Sequence, residues 1–404
     1  MGAQTGCLLE ASQASPEVVA DLGDRLGAAS LFLRGPMSLS AIESKAPVKP
    51  ADGRLPGVWI TEDDSALRSA MDVARGQGMD VYLAIENPLI GSPEWGDLLA
   101  EDNSGRSTEK IDPARPLICP NHPKLLGWVA DLVVGVYEAY RPTGVLLCDV
   151  SLGSPASIDN LFTCWCDLCR ARVGELGYDP DQVRIGMQGA RTKLADIRPE
   201  VAGIPDFGLG LLLDGIGFDI GLMDWFSFRA DSVSACLYEM RQALARKDTT
   251  VRMAILNKGP TAAMLAGQRR EDALRDTTLA DAYVPVICGR GSGIPEMLAG
   301  HARQVHEAAE GIDERSALAL AARIHGYAGV PLPDRIAELD ESPTEELLRA
   351  CAQRELAYTL VAPGEVPRWP AIDCEGLPSN LVSDVADQIE QSGADGILYI
   401  GVPR

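Results

Sequence analysis

The chain has 404 residues, of which 46% are hydrophobic and 23% are charged, a composition typical of a soluble globular protein. Its formal net charge of −22 argues against nucleic acid as a partner, because a phosphate-binding surface needs a basic patch. The sequence contains no apolar run of 18 or more residues, so it predicts no membrane span.

The N-terminus and the cysteines indicate where the protein works. Met1-Gly2-Ala3-Gln4 does not begin a basic region followed by an apolar one, so we expect no secretory signal. Several of the ten cysteines fall in strand-like or helix-like runs, namely Cys148, Cys236, Cys288 and Cys351. This scatter favours reduced core thiols over disulfides, and it predicts a reducing, cytoplasmic setting.

Eight short apolar segments bounded by turn residues are predicted to be strands. They are residues 28–33, 57–60, 81–85, 145–150, 251–256, 282–288, 317–324 and 396–400. Helices are predicted at 16–26, 65–77, 124–140, 167–176, 225–246, 296–309 and 342–357, with a last helix from residue 379. Strands that alternate with helices indicate a parallel sheet of βαβ units, and eight of them indicate a closed (β/α)8 TIM barrel.

A single barrel domain over residues 1–404 accounts for this order, with long loop insertions near 88–120 and 178–224. The first insertion is far longer than a usual connection, and such loops usually carry function when they are ordered. A doubly wound open sheet is the alternative fold. It would require a glycine-rich phosphate-binding turn after the first strand, and Arg34-Gly35-Pro36 is not one.

Four cysteines are spaced as metal ligands. Cys164, Cys166 and Cys169 form the pattern C-x-C-x-x-C, and Cys119 lies upstream in a Cys-Pro turn. Four thiolates complete a tetrahedral shell for zinc, and a closed shell of this kind is structural. An iron–sulfur cluster also takes four thiolates, but no other redox feature accompanies these. Cys148 is a rival fourth ligand, and strand alternation predicts that it faces the helical layer, opposite to Asp149.

This arrangement resembles the glycoside-hydrolase-like barrels of bacteria. The likeness covers about residues 116–179, where Cys119-Pro120-Asn121 precedes a helix, a strand ending in a carboxylate, and the three clustered cysteines. It extends to the zinc site of certain bacterial beta-galactosidases, and it implies a TIM barrel that acts on glycosides. Those enzymes end the fourth strand with Asn-Glu, whereas this chain has Cys148-Asp149, so their catalytic roles do not carry over intact.

Candidate catalytic residues follow from the position of chemistry in such barrels, at the C-terminal ends of the strands. Asp149 follows the predicted fourth strand and Glu86 the third, and glycoside hydrolysis requires two carboxylates. Glu296 is a further candidate for the second acid. Candidate substrate-binding residues at other predicted strand ends are Asn257, Lys258, Arg290 and His325, and candidates for stacking on sugar rings are Trp59, Trp95 and Trp165.

Three functions are compatible with these residues. The first is hydrolysis of a small or oligosaccharide glycoside by Asp149 and a second acid. The second is a sugar-active lyase or isomerase, which would use Lys258 and His325 for proton abstraction. The third is a barrel that binds carbohydrate without catalysis. The sequence leaves the sugar, its linkage and the oligomeric state open.

Overall fold

Eight parallel strands close into a barrel in the computed structural model of the chain, which describes residues 4–43, 45–46, 54–195, 219–308 and 311–403. The strands are β1 (Gln4–Glu10), β2 (Ala28–Arg34), β3 (Arg54–Leu55), β4 (Val58–Trp59), β5 (Asp80–Ile85), β6 (Gly144–Cys148), β7 (Arg252–Asn257), β8 (Ala282–Cys288), β9 (Ala371–Asp373) and β10 (Gly396–Ile400). All except β3 and β4 belong to the barrel and follow each other around it in chain order. The predicted (β/α)8 fold is confirmed.

Helices surround the barrel. They are α1 (Pro16–Leu26), α2 (Ser40–Glu43), α3 (Ser65–Gly76), α4 (Pro123–Tyr140), α5 (Ile158–Leu161), α6 (Asp167–Glu175), α7 (Pro180–Ala195), α8 (Ile220–Lys247), α9 (Pro260–Leu265), α10 (Arg270–Arg275), α11 (Ile294–Ala308), α12 (Glu314–Ile324), α13 (Ile336–Glu341), α14 (Glu345–Val361) and α15 (Ser379–Gln391). Short 3-10 helices occupy Ala11–Gln13, Pro93–Leu98, Thr108–Lys110 and Arg290–Ser292. None of the described helices combines the length and hydropathy needed to cross a bilayer.

Two of the predicted barrel strands are wrong. Residues 57–60 contribute β4 to a small antiparallel hairpin with β3, joined by the turn at Pro56 and Gly57. Gly57 has φ 85°, which suits a tight turn. Residues 317–324 lie in helix α12, because their alanines and leucines are strong helix formers and the Asp313 side chain caps the first turn by accepting from the Ser316 amide.

The strands that replace them are β1 and β9. The first pairs with β10 along Gln4 to Leu8 and with β2 on its other side, and so closes the barrel. The second joins β8 to β10 through only three residues. The sequence therefore predicted the number of strands and closure through residues 396–400, but it placed two strands in the wrong segments.

The two long insertions differ in content. Residues 88–120 contain two of the 3-10 helices and short antiparallel bridges, such as Ile90 with Leu117. The predicted insertion at 178–224 contains α7 and the start of α8, while the glycine-rich stretch from 207 onward lies largely outside the described residues.

Apolar side chains form three clusters. One fills the barrel interior and includes Leu8, Phe32, Leu146 and Leu398. A larger cluster lies between the barrel and its helices and includes Leu147 and Ile255. The third packs outside the barrel around the cysteines and reaches α11 to α14. The cysteine cluster is therefore part of a hydrophobic core of its own, beside the loop that follows β6.

Candidate functional site

The four predicted metal ligands lie together. The Sγ atoms of Cys119, Cys164, Cys166 and Cys169 are all within 4.8 Å of one another, and Cys119 Sγ lies 3.5 Å from both Cys166 Sγ and Cys169 Sγ. A tetrahedral shell with Zn–S bonds of about 2.3 Å separates its sulfur atoms by about 3.8 Å. The observed spacing fits a metal ion bound by four thiolates.

Local structure explains how the sulfurs converge. Cys166 is the N-cap of α6 and Cys169 lies in the first turn of that helix, where the helix dipole favours negative charge. Hydrogen bonds among the thiols lower the pKa of Cys166 and raise the pKa of Cys119 and Cys169, so Cys166 is the first of these three to become a thiolate. Asn121 Nδ2 donates to Cys169 Sγ at 3.3 Å and to Ser232 Oγ at 3.0 Å, which orients one ligand from outside the shell.

Arg229 on α8 lies beside this cluster and is 1% exposed. Its guanidinium donates to four backbone carbonyls, those of Leu152, Asn160, Thr163 and Leu265. Burial lowers the pKa of Arg229 to about 9, and the charge on Cys164 opposes that shift. The Arg229 side chain therefore joins the segment between β6 and α6, which leads to Cys164, to the end of α9 after β7.

Charged side chains end most of the barrel strands. Glu10, Arg34, Glu86, Asp149, Lys258 and Asp373 occupy the last residue of a strand or the first residue after it. Parallel strands place these positions at one end of the barrel, its C-terminal mouth. The mouth therefore holds four carboxylates and two cations.

The Asp149 side chain lies at the mouth, an orientation that the alternation of side chains along β6 does not predict. Cys148 packs with Leu146 in the barrel interior, while Leu147 packs against the helices, so the prediction that Cys148 faces the helical layer is wrong. Strand β6 ends at Cys148, and Asp149 has φ 51°, a left-handed conformation that interrupts the alternation. Its amide still donates to the carbonyl of Leu256 at 2.7 Å. The Asp149 side chain therefore lies at the mouth, whereas the Leu147 side chain packs against the helices.

The Asp149 carboxylate is held by two neighbours. Lys258 Nζ lies 2.7 Å from Oδ2, and Gln268 Nε2 donates to Oδ1 at 3.1 Å. Gln268 also donates to the carbonyl of Val150. The loops after β6 and β7 therefore meet at this carboxylate, which the sequence placed correctly at a strand end.

Glu86 forms a second pair with Arg34. Arg34 Nε lies 2.5 Å from Glu86 Oε1, and Arg34 Nη1 lies 3.6 Å from Glu10 Oε1. Partial withdrawal from water raises the pKa of Glu86, although 48% of its side chain remains exposed, and the Arg34 charge opposes that rise. A carboxyl group with a raised pKa is suited to donate a proton.

Two clefts open at the mouth. One of about 510 Å³ is lined by Glu86, Asp149 and the indole of Trp59, which is 53% exposed. The other, of about 940 Å³, is lined by Glu10, Arg34 and Asp373. The Arg34–Glu86 ion pair joins one lining residue of each cleft. The smaller cleft therefore combines both predicted carboxylates with an aromatic face, an arrangement that suits a sugar ring.

The other predicted residues are spread more widely. Asn257 ends β7 and is buried, whereas Arg290 is exposed and donates to the carbonyl of Glu341. His325 does not end a strand, because it follows helix α12 and its Nε2 lies 2.6 Å from His301 Nδ1. It lines a separate cleft of about 710 Å³ that contains neither Asp149 nor Lys258. Glu296 lies on α11 and accepts from Ser154 Oγ.

The remaining tryptophan candidates are buried. Trp95 and Trp165 are 2% and 4% exposed. Trp165 packs edge-on against Trp225 in the core around the cysteines. Of the three tryptophans proposed to stack on a sugar, only Trp59 presents a large surface to solvent.

Several residues of the mouth were missed in the sequence. Glu10 and Asp373 end strands that were not predicted, and Arg34 was predicted only as part of a turn. The short pattern Ala371-Ile372-Asp373, two apolar residues and an acid after Pro370, was the available signal for β9. Gln268 lies far from Asp149 in the chain and carries no motif, so only the fold brings them together.

A buried carboxylate supports the loop that carries Lys258. Glu355 on α14 is fully buried and accepts from the amide of Thr261 at 2.9 Å, from Thr261 Oγ1 at 2.7 Å and from the Tyr327 hydroxyl. A Cβ on Gly259 would lie 2.7 Å from Glu355 Oε2, so a side chain there would collide with this carboxylate. The loop after β7 is therefore held tightly next to the mouth.

No protein-family model matches the chain, and no curated protein matches it. Among solved structures, the chain is similar to a beta-galactosidase from the haloarchaeon Halorubrum lacusprofundi, with 15% identity and a TM-score of 0.48 over 98% of this chain and 52% of that one. A beta-galactosidase from Marinomonas ef1 gives 10% identity and a TM-score of 0.47 over 98% and 53% of the two chains. An endo-1,4-beta-D-mannanase from Thermotoga petrophila RKU-1 gives 10% and 0.38 over 98% and 88%.

The chain thus spans about half the length of the two beta-galactosidases. These three solved structures are of glycoside hydrolases.

Proposed function

We propose that the protein is a glycoside hydrolase whose two carboxylates are Glu86 and Asp149. The observation that carries the proposal is their shared cleft at the C-terminal mouth of the barrel, where both line the wall together with exposed Trp59. Glycoside hydrolysis requires two carboxyl groups on either side of the scissile bond, one as acid and one as nucleophile or base. The substrate is a small glycoside or an oligosaccharide.

The surroundings of the two carboxylates suggest different roles. Glu86 is the candidate acid, because partial desolvation raises its pKa and a protonated carboxyl can donate to the leaving oxygen. Asp149 is the candidate nucleophile or base, since its carboxylate is oriented by Lys258 and Gln268. Lys258 also becomes a candidate donor to a sugar hydroxyl. Trp59 offers an apolar face on which a sugar ring can stack.

A screen of aryl glycosides tests this proposal. Purified protein is expected to release the aryl alcohol from at least one glycoside, and Glu86→Gln should remove most of that release. Glu138→Gln is the matched control, because Glu138 lies on α4 and pairs with Lys247 outside the mouth. Absence of release from every glycoside tested, by folded protein with its metal bound, would contradict the proposal.

The role of Glu86 predicts a pH dependence. An acid must be protonated to act, so kcat/KM should fall as the pH rises through the pKa of Glu86. Because partial desolvation raises that pKa, this loss should occur at a higher pH than for a glutamate fully surrounded by water. The measurement is kcat/KM against pH for wild type and Arg34→Met. Removal of the opposing Arg34 charge should move the loss to still higher pH, and an unmoved profile would exclude Glu86 as the titrating acid.

We also propose that the metal is zinc and that its role is structural. Four thiolates with tetrahedral spacing form a closed shell that leaves no position for substrate. Elemental analysis of purified protein should find about one zinc per chain. Cys164→Ser should lose the metal and lower the melting temperature, while Cys236→Ser, a buried cysteine outside the cluster, should keep it. Full metal content in Cys164→Ser would overturn the assignment.

A reducing, cytoplasmic location is part of the same proposal. All ten cysteines are free of disulfides, and most are buried. Reduced thiols and a thiolate metal site both suit such a compartment. Fractionation of cells that express the protein tests this location.

A second function is supported by one contact. Lys258 Nζ lies 2.7 Å from Asp149, and such a pair can also abstract a proton beside a carbonyl group, as a lyase or isomerase requires. His325 lies in another cleft, so it is not positioned to share in the proton abstraction that the sequence suggested for Lys258 and His325. Incorporation of solvent deuterium into an unhydrolysed sugar would favour this function over hydrolysis.

A further inference from the structure

Arg229 is the only buried lysine or arginine among the residues that the structure describes. Its guanidinium bonds only to backbone carbonyls there, and no aspartate or glutamate of the described chain pairs with it. Removal of a charge from water is costly, so a buried cation is stabilised by a negative partner nearby. Carbonyl dipoles alone supply only part of that compensation.

The cysteine cluster, which becomes negatively charged when it holds a metal, lies next to a carbonyl that Arg229 binds. Arg229 Nε donates at 2.9 Å to the carbonyl of Thr163, the residue before Cys164. Four thiolates around one divalent ion leave the centre with excess negative charge. Ser232, one turn further along α8, accepts from the Asn121 amide that contacts Cys169. One face of α8 therefore borders the thiolates.

We propose that Arg229 is the counter-cation of the four-thiolate metal centre and links that centre to the loops that hold Asp149. The inference rests on the proposed metal site. The charge of the loaded centre and the charge of Arg229 compensate each other in a buried environment, so each stabilises the other. Arg229 is a positioning residue and touches neither substrate nor metal.

The link to Asp149 runs through hydrogen bonds. Arg229 Nη1 donates to the Leu265 carbonyl at 2.7 Å, at the end of α9, and Leu152 donates from its amide to the next carbonyl, that of Ala266. Two residues later Gln268 donates to Asp149 and to the Val150 carbonyl. The segment between β6 and α6, which carries Cys164, and the segment after β7 are thus joined at one guanidinium.

Zinc affinity of charge variants tests the proposal. Arg229→Gln removes the charge but keeps an amide donor, whereas Arg229→Lys keeps the charge but reaches fewer carbonyls. Competition with a chromophoric chelator should show zinc bound about 10–100-fold more weakly by the glutamine variant than by wild type. The lysine variant should recover most of this loss. Arg191→Met is the control, because Arg191 pairs with Asp102 and Asp159 and should leave zinc affinity unchanged.

The outcomes separate this inference from the zinc proposal. Wild type that binds no zinc refutes the metal site, whereas wild type and glutamine variant with equal affinities refute only the counter-cation. If the glutamine variant does not fold, the lysine variant decides. A folded lysine variant that retains zinc supports the charge as the essential property, and an unfolded one overturns it, because the carbonyl bonds would then be what the fold needs.

Hydrogen exchange tests the link to Asp149. Removal of zinc from wild type should speed amide exchange at 149–152 and 265–268. In zinc-loaded Arg229→Lys, which keeps the charge but loses carbonyl bonds, the same segments should already exchange faster than in wild type. Unchanged exchange in both cases would show that the cluster does not order these loops.

Discussion

Asp149→Asn should lower kcat by about 10²–10⁴-fold on any glycoside that the wild type cleaves, because a positioned acid or base contributes about that factor. Asparagine keeps the shape of the side chain and is one of the few residues that tolerate φ 51°. The loss should therefore appear in kcat, with a melting temperature close to that of wild type. Steady-state kinetics together with thermal unfolding provides the measurement.

The division between kcat and KM identifies the role of Asp149. A residue that only binds sugar hydroxyls would raise KM and leave kcat nearly unchanged. Undiminished kcat in Asp149→Asn would remove Asp149 from the chemistry and direct attention to Glu86 with Asp373 or Glu10 at the same mouth. Glu138→Gln serves again as the matched carboxylate outside the mouth and should retain both parameters.

Removal of residues 393–404 should abolish soluble, folded protein. These residues contain β10, which pairs with β1 on one side and β9 on the other, so the truncation opens the barrel and exposes two strand edges. It also removes Ile397 and Leu398, which are buried on the two faces of the strand. Expression of 1–392, followed by circular dichroism of any soluble fraction, tests the prediction.

A shorter truncation provides the control. The chain 1–401 keeps the whole of β10 and loses only the segment after it, including the Pro403 carbonyl that accepts from Arg25. We expect 1–401 to fold with a modest loss of stability. A stable, folded 1–392 would show that closure through β10 is dispensable.

The strands that could be predicted are those with a continuous apolar run between turn residues, such as β5 and β6. Strand β9 has only three residues, too few for a pattern to emerge. In strand β1 the apolar residues come only after Gln4 and Thr5, so the apolar run is too short to be recognised as a strand. The segment that forms α12 was predicted as a strand because a buried helix and a buried strand share the same apolar composition.

The metal ligands could be predicted because their chemistry is local. Three lie within six residues, and the sequence spacing alone brings their sulfurs together. The mouth could be predicted only in part, since Asp149 and Glu86 follow recognisable strands while Gln268, Arg34 and Asp373 depend on long-range packing. Arg229 carries no local motif, because its four carbonyl partners lie far from it in the chain, three of them within residues 152–163 and the fourth at Leu265.

The left-handed backbone at Asp149 also limits what can replace it. Aspartate, asparagine and glycine occupy this region at little cost, whereas a glutamate, with its longer side chain and weaker preference for it, would strain the turn by about 1 kcal/mol. Exchange of aspartate for the longer acid would therefore displace both the backbone and the carboxylate. In an alanine scan of the mouth, the substitution at Asp149 would likewise combine backbone strain with loss of the acid. The choice of acid at this position is thus coupled to a torsion angle, and redesign of the cleft has to treat the two together.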